Sequence, residues 1–281
     1  MTTSLFSERV DLLDNPTAGR VSFVAHLSNR KARSKYEQLL VEGPQAVREL
    51  VRFAPAAVRD VYVDVELVKH HHDLLVEARK ITDFVHPCTR QVVNAMSSDA
   101  QGICAVANLE QLPIVSAEQF AAPSNELIMV LARIQDPGNA GTMIRVADAF
   151  GAQAVYATSG TVDMTSPKVV RASAGSAFHL PIVTGQFSDL VSALRRDGYQ
   201  VFGTAVQATL TLDELLASRS QSLQGPVALV FGNEARGLAE DERELCDELL
   251  SIPMYGEAES LNVATAAAVI TSAVARVRHQ S

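Results

Sequence analysis

Few cysteines, no long apolar run and no surplus of positive charge set the first bounds on this 281-residue chain. Cys88, Cys104 and Cys246 are widely scattered, so no pair has metal-ligand spacing and any disulfide would leave one thiol over. They read as reduced packing residues. The longest apolar stretches, such as 127–132 and 227–231, have strand length and fall well short of a membrane span. The opening MTTSLFSERVDLLD carries acids and lacks the basic region and apolar core of a signal peptide. The expectation is a cytoplasmic protein with no membrane association. With 24 Lys and Arg against 32 Asp and Glu, the net charge of −8 excludes a protein that grips a polyanion by bulk charge. A polyanion partner then needs a local patch. One exists: Arg20, Arg30, Lys31, Arg33 and Lys35 follow one another with no acid between them. A solvated loop and a nucleic-acid contact would both look like this.

Internal repeats and low-complexity tracts are also missing. The length favours two domains, each able to bury its own core. LPIVSAEQFAAPSN, residues 112–125, has two prolines and no strong periodicity, and marks the division. The expected arrangement is a domain over 1–112, a linker over 113–125 and a second domain over 126–281. Before the linker, strands are expected at 38–41, 58–63, 82–85 and 102–108, with helices at 44–53 and about 70–80, a small α/β sandwich. After it, apolar strands at 127–132, 154–157, 200–204, 227–231 and 249–252 alternate with helices at 140–150, 188–196 and 239–246. Continuous Val, Leu and Ile strands separated by helices imply a parallel sheet covered on both faces. Ligands of such sheets bind beyond the carboxyl ends of the strands.

Three polar, glycine-bearing segments fall at that edge. RIQDPGNAGTMIRVADAFG (133–151) turns on Pro137, Gly138 and Gly141 into a helix carrying Arg145. It lacks the third glycine of a dinucleotide fingerprint and the Gly-Lys-Ser/Thr of a P-loop. FGNEARGL (231–238) sets Gly232 directly after a strand, where the backbone can approach closely, and then presents Glu234. IPMYGEAESLNVA (252–264) passes through Glu259, Ser260 and Asn262 before an apolar helix over 263–277. Ser and Asn at a helix start cap its first turn and leave free amides facing a ligand.

In order, N-x-x-x-x-x-R, F-G-N-E-x-x-G-L and I-P-M-x-G-x-x-x-S-L-N-V closely resemble the three motifs of the SpoU/TrmH family of RNA 2′-O-ribose methyltransferases, a branch of the SPOUT class that uses S-adenosylmethionine. The resemblance spans 126–281. KVVRASAGSAFHLP (168–181) is similar to the family's intervening segment, while LLVEG (39–43) and QGI (101–103) are similar to an accessory domain that resembles RNA-binding ribosomal proteins.

The resemblance implies an α/β fold: a parallel sheet with helices on both faces and a carboxy-terminal trefoil knot, preceded by a small α/β RNA-binding domain. It implies a homodimer through the carboxy-terminal domain, with the active site near the interface. Gly232, Ile252, Leu261, Met254 and Thr204 are the expected cofactor-binding residues. Arg145 matches the catalytic arginine. Asn139 would orient Arg145 or the ribose, Glu234 would position Arg145 or a substrate donor, and Ser260 with Asn262 would fix the loop and the substrate side. Arg30, Lys31, Arg33, Lys35, Lys168 and Arg171 are the candidate RNA contacts. No metal is expected, because the leaving group departs neutral, and His70–His72 are sequential and cannot share one helix face. The expected activity is methylation of a ribose 2′-hydroxyl in RNA, with ribosomal RNA the preferred target. The alternatives are a transfer-RNA ribose methyltransferase, a non-catalytic RNA-binding assembly factor and a generic nucleotide-binding α/β enzyme.

Overall fold

The basic run is helical: α1 (Gly19–His26) and α2 (Arg30–Tyr36) are separated by Asn29, whose side chain caps α2 by accepting from Lys31 N at 2.9 Å. The computed structural model describes residues 5–117, 126–218 and 220–279. Their contacts divide into two compact units, one up to Pro113 together with Thr165–His179, the other Ile114–Met164 together with the chain from Leu180 onward.

In the first unit, Arg33 is 3 % exposed. Its Nη1 donates to the carbonyls of Leu27 and Ser28 at 2.9 and 2.8 Å, and its Nε donates to Thr165 Oγ1 at 3.0 Å. The guanidinium therefore satisfies carbonyls that α1 leaves open at its end. This corrects the expectation that Arg33 contacts RNA: a run of like charges does not reveal which member is turned inward. Arg33→Met should destabilise the first unit by about 3 kcal/mol, because buried acceptors lose a charged donor. Equilibrium urea unfolding of the variant and parent chains measures it.

The unit's four-stranded sheet runs in the order β1 (Gln38–Glu42), β4 (Ile103–Asn108), β2 (Val58–Asp64), β3 (Val85–Cys88). Helices α3 (Pro44–Phe53), α4 (His72–Ile81) and α5 (Arg90–Met96) complete it. β3 begins three residues later than its expected start at 82, because α4 continues to Ile81 and Thr82 forms its C-cap. An edge position tolerates Pro87, which has no amide to donate. Val21, Val24, Leu27, Leu40, Tyr62 and Val92 pack one core between the sheet, α1 and α5.

Residues 165–179 follow the second unit's strands in sequence but join the first unit by contact. Here α7 (Pro167–Ala172) packs on β1. The buried Glu42 of β1 accepts from Ser97 Oγ at 2.7 Å and from Arg171 Nη1 at 2.7 Å, and Arg171 also meets Asp99 at 2.6 Å. His179 Nε2 lies 3.3 Å from the buried Glu49 of α3. Two buried carboxylates require cationic or donor partners, and this segment supplies them.

The second unit is an eight-stranded sheet in the order β10 (Leu210–Thr211), β12 (Glu248–Ser251), β9 (Gln200–Thr204), β11 (Val227–Phe231), β6 (Leu127–Leu131), β7 (Ala154–Thr158), β8 (Ile182–Gly185), β5 (Ile114–Ser116). All its strand pairs are parallel. β5 falls inside the expected linker, pairing Ile114 with Ile182; residues 118–125 of that linker lie outside the described residues. Ile128, Val130, Ala228 and Val230 face α8 (Phe187–Arg196), while the alternate residues Leu127, Met129, Leu229 and Phe231 are equally buried on the other face. α6 (Pro137–Ala149) and α11 (Val263–His279) pack on each other and on β6, β7 and β11. α9 (Leu212–Ser218) and the short α10 (Glu240–Glu244) complete the unit.

The order of strands switches sides at the parallel β6–β11 pair: β6 is followed outward by β7 and β8, whereas β11 borders β9 and then β12 on the other side. That is the switch point at which such sheets open a crevice.

Candidate active site

The loops leaving β6 and β11 meet at that crevice. Asp136 caps α6 by accepting from Asn139 N at 2.8 Å, with Pro137 at the first helical position. After β11 the loop closes on itself: Asn233 N donates to Gly237 O at 3.1 Å and Gly237 N to Asn233 O at 2.8 Å. A β-carbon on Gly232 would lie 2.4 Å from both Gly237 C and Leu238 N, so only glycine permits this closure.

Glu234 is held over the β6 loop. Its carboxylate accepts from Asp136 N at 3.0 Å, Gln135 N at 3.1 Å and Asn139 Nδ2 at 3.1 Å. Partial burial pushes its pKa up, but the amides of Glu234, Asp136 and Gln135 with the Asn139 side chain outweigh that and hold it below the usual glutamate value. It is ionised at neutral pH and acts as an acceptor only.

The other end of the Asn139 amide accepts from Asn262 Nδ2 at 3.0 Å. Asn262 Oδ1 in turn accepts from Ala264 N at 2.9 Å and Thr265 N at 3.3 Å, capping α11. A relay from Glu234 through Asn139 to Asn262 thus ties all three polar segments together. It bypasses Arg145. Neither Asn139 nor Glu234 bonds to that arginine, which is exposed and makes no hydrogen bond or ion pair with the described residues. Six residues along α6 rotate Arg145 about 240° from Asn139, so their partners differ.

Beside the relay lies a cavity of about 650 Å³, within the size range of small-molecule sites. Thr204, Gly232, Ile252, Met254 and Leu261 all line it, and Ser260 stands at its edge, exposed. Thr204 at the end of β9 offers a hydroxyl, and Ile252, Met254 and Leu261 offer apolar side chains. Arg236 and Arg243 also line it. Neither was expected, and the only cue to them in the residues is that Arg236 lies within FGNEARGL.

The remaining candidates lie in the first unit. Arg30, Lys31 and Lys168 are exposed, and Lys35 stacks over Tyr36 at 4.9 Å from the ring centre. Arg171 is engaged by Glu42 and Asp99, so its expected role as an RNA contact is not supported by its surroundings. Burial pushes the Cys88 and Cys246 thiols up to about 12, which suits packing and not nucleophilic chemistry. Among the described residues no group of three or more His, Cys, Asp or Glu is arranged to hold a metal, and no helix is long and apolar enough to cross a membrane.

The sequence model of the SpoU rRNA Methylase family matches residues 126–272. Among curated proteins, the chain is 32 % identical over 245 residues to the 23S rRNA (guanosine(2553)-2'-O)-methyltransferase RlmP of Bacillus subtilis, covering 87 % of this chain and 91 % of that protein. It is 31 % identical over 260 residues to the 23S rRNA (uridine(2479)-2'-O)-methyltransferase of Streptomyces viridochromogenes, covering 90 % and 88 %. Among solved structures, the SpoU methyltransferase AviRb from Streptomyces viridochromogenes in complex with the cofactor AdoMet aligns with a TM-score of 0.79 at 29 % identity, covering 93 % of this chain and 98 % of that one.

Proposed function

Because the chain belongs to the SpoU rRNA methylase family, we propose that it transfers a methyl group from S-adenosylmethionine to the 2′-hydroxyl of a ribose in ribosomal RNA. The observation that carries this reading is the Glu234–Asn139–Asn262 relay, which draws three loops around a cavity of about 650 Å³ at the sheet's switch point.

S-adenosylmethionine supplies an activated methyl on a sulfonium, which leaves as a neutral thioether. The ribose oxygen forms the new C–O bond while the C–S bond breaks, and the hydroxyl proton must depart. The chain's task is therefore orientation, proton removal and stabilisation of the developing oxyanion. Thr204, Gly232, Ile252, Met254 and Leu261 hold the donor. Ionised Glu234 and the two asparagines hold the loops, and Ser260 faces the substrate side. Arg145 binds the phosphate beside the target ribose and stabilises the oxygen, and a substrate phosphate takes part in removing the proton.

The exposed Arg145, outside the cavity lining, fits a site near the interface of two catalytic units in a homodimer. A trefoil knot in residues 126–281 belongs to the same reading, supported by the way 252–262 border the loops after β9 and β11. The first unit serves as the accessory RNA-binding domain, with Arg30, Lys31, Lys35 and Lys168 on its surface. A chain that acts on RNA of the ribosome works in the cytoplasm.

Lys31→Glu with Lys35→Glu should weaken RNA binding and reduce the salt slope of log K by about two, one for each phosphate no longer neutralised, while leaving cofactor affinity unchanged. Filter binding across a salt series reads both. The activity itself is tested by incubating the chain with methyl-labelled S-adenosylmethionine and purified ribosomal or transfer RNA. Label in ribosomal RNA is expected; label confined to transfer RNA would contradict the target, and none in either would contradict turnover.

A further inference from the structure

Arg133, directly after β6, has a left-handed backbone at φ +59°, a region that residues with a β-carbon seldom occupy without other contacts to hold them there. The contacts are extensive. Its amide donates to Thr158 Oγ1 at 3.1 Å and its carbonyl accepts from Asn233 Nδ2 at 2.9 Å. Its guanidinium grips Glu242 with both arms, Nε to Oε1 at 2.7 Å and Nη2 to Oε2 at 2.6 Å, and Nη2 also donates to Gly237 O at 3.2 Å. Glu242 is 5 % exposed, and its Oε2 accepts from Ala239 N at 2.8 Å at the start of α10. Gly160 clears the way: a β-carbon there would come within 3.3 Å of Arg133 Cγ.

One residue thus holds the loop after β11 at two points, Asn233 through its carbonyl and Gly237 through its guanidinium. Both points belong to the segment that lines the cavity, whereas Arg133 itself does not touch the space. A bidentate pair with a buried carboxylate fixes direction as well as distance. The Glu234–Asn139–Asn262 relay has anchors of its own in the Asp136 and Asn262 caps, and it joins this hold through Asn233, whose Nδ2 also donates to Glu234 Oε2 at 3.3 Å.

We propose that Arg133 is a positioning residue whose ion pair with Glu242 sets the wall of the cofactor cavity, so that it governs affinity for S-adenosylmethionine and not the methyl-transfer step. This rests on the reading that the cavity takes that cofactor. The full-length chain, Arg133→Gln, Arg133→Gly and Glu242→Gln are compared by calorimetric titration with S-adenosylmethionine and by steady-state kinetics at saturating RNA. Arg133→Gln is expected to raise both Kd and KM for the cofactor by roughly tenfold, with kcat at saturation within about twofold. Arg133→Gly removes the ion pair and suits the left-handed backbone but leaves the buried Glu242 without its cation; thermal unfolding is therefore followed beside the titration, and the folded variant should still lose affinity. Combining Arg133→Gln with Glu242→Gln should cost no more than the worse single change, as for two halves of one interaction. Arg133→Lys, which keeps the charge without the fork, should recover part of the affinity.

Unaltered cofactor affinity in Arg133→Gly and Glu242→Gln, or a fall in kcat at constant KM, would overturn the proposal. A lowered melting temperature with normal KM would reduce Arg133 to a structural role. Failure of the parent chain itself to bind S-adenosylmethionine would instead overturn the reading of the cavity.

Discussion

Replacing Arg145 with alanine should lower the methyl-transfer rate by on the order of 10³-fold, the scale seen when a group that stabilises developing charge is removed. Cofactor affinity should stay within about twofold, as for a surface change away from the binding site. The expectation follows from where Arg145 stands: on α6 beside the crevice, exposed, engaged by none of the described residues and absent from the lining of the cavity. A cation without an internal partner is available to a phosphate. Arg145→Lys keeps the charge but not the planar fork, and should retain only a small fraction of the rate. Single-turnover methyl transfer with titration of the cofactor separates the two effects. Normal turnover in the alanine variant would remove Arg145 from the chemistry.

Gly232→Val should nearly abolish cofactor binding, by roughly 100-fold or more, because even a 1 Å displacement of a positioned wall has effects of that size. The added β-carbon meets backbone, not a flexible side chain, 2.4 Å from Gly237 C and Leu238 N. The loop must open, breaking the paired Asn233 and Gly237 bonds and shifting Glu234. Gly237 is the control: it lies at φ +64° with nothing within 4 Å of a β-carbon, so Gly237→Ala meets backbone strain alone and should bind far better than Gly232→Val. Calorimetric titration ranks them, and equal affinity for Gly232→Val and the parent chain would contradict the closure of that loop as a requirement for binding.

Much of this arrangement was legible in the residues. Runs such as 127–131 and 227–231 are apolar at every position, which only a sheet buried on both faces requires, and they pair as β6 and β11. The polar segments that interrupt such strands and helices mark the edge where Glu234, Asn139 and Asn262 meet. Their partners were less legible. The resemblance implied that Asn139 would orient Arg145 or the ribose, but helix rotation turns it away from Arg145 and its amide bonds Glu234 and Asn262.

Charge gave the least guidance. Arg33 and Arg171 read like their exposed neighbours, yet Arg33 closes the end of α1 and Arg171 neutralises Glu42. Sequence cannot distinguish a cation facing solvent from one facing a buried carboxylate far along the chain. The same blindness hid the place of residues 165–179 in the first unit and gave Arg133, the first residue of a polar segment, no role of its own. Its left-handed backbone and its bond to Glu242 exist only once three separate loops are assembled.

The most direct measurement is the position of the transferred methyl. Ribosomal RNA treated with the chain and labelled S-adenosylmethionine is digested to nucleosides and resolved by mass spectrometry. All label should appear in a 2′-O-methylated nucleoside, and Arg145→Ala should supply none. Label on a base, or on a substrate whose target sugar lacks its 2′-hydroxyl, would contradict a site built to bring a methyl donor against that oxygen.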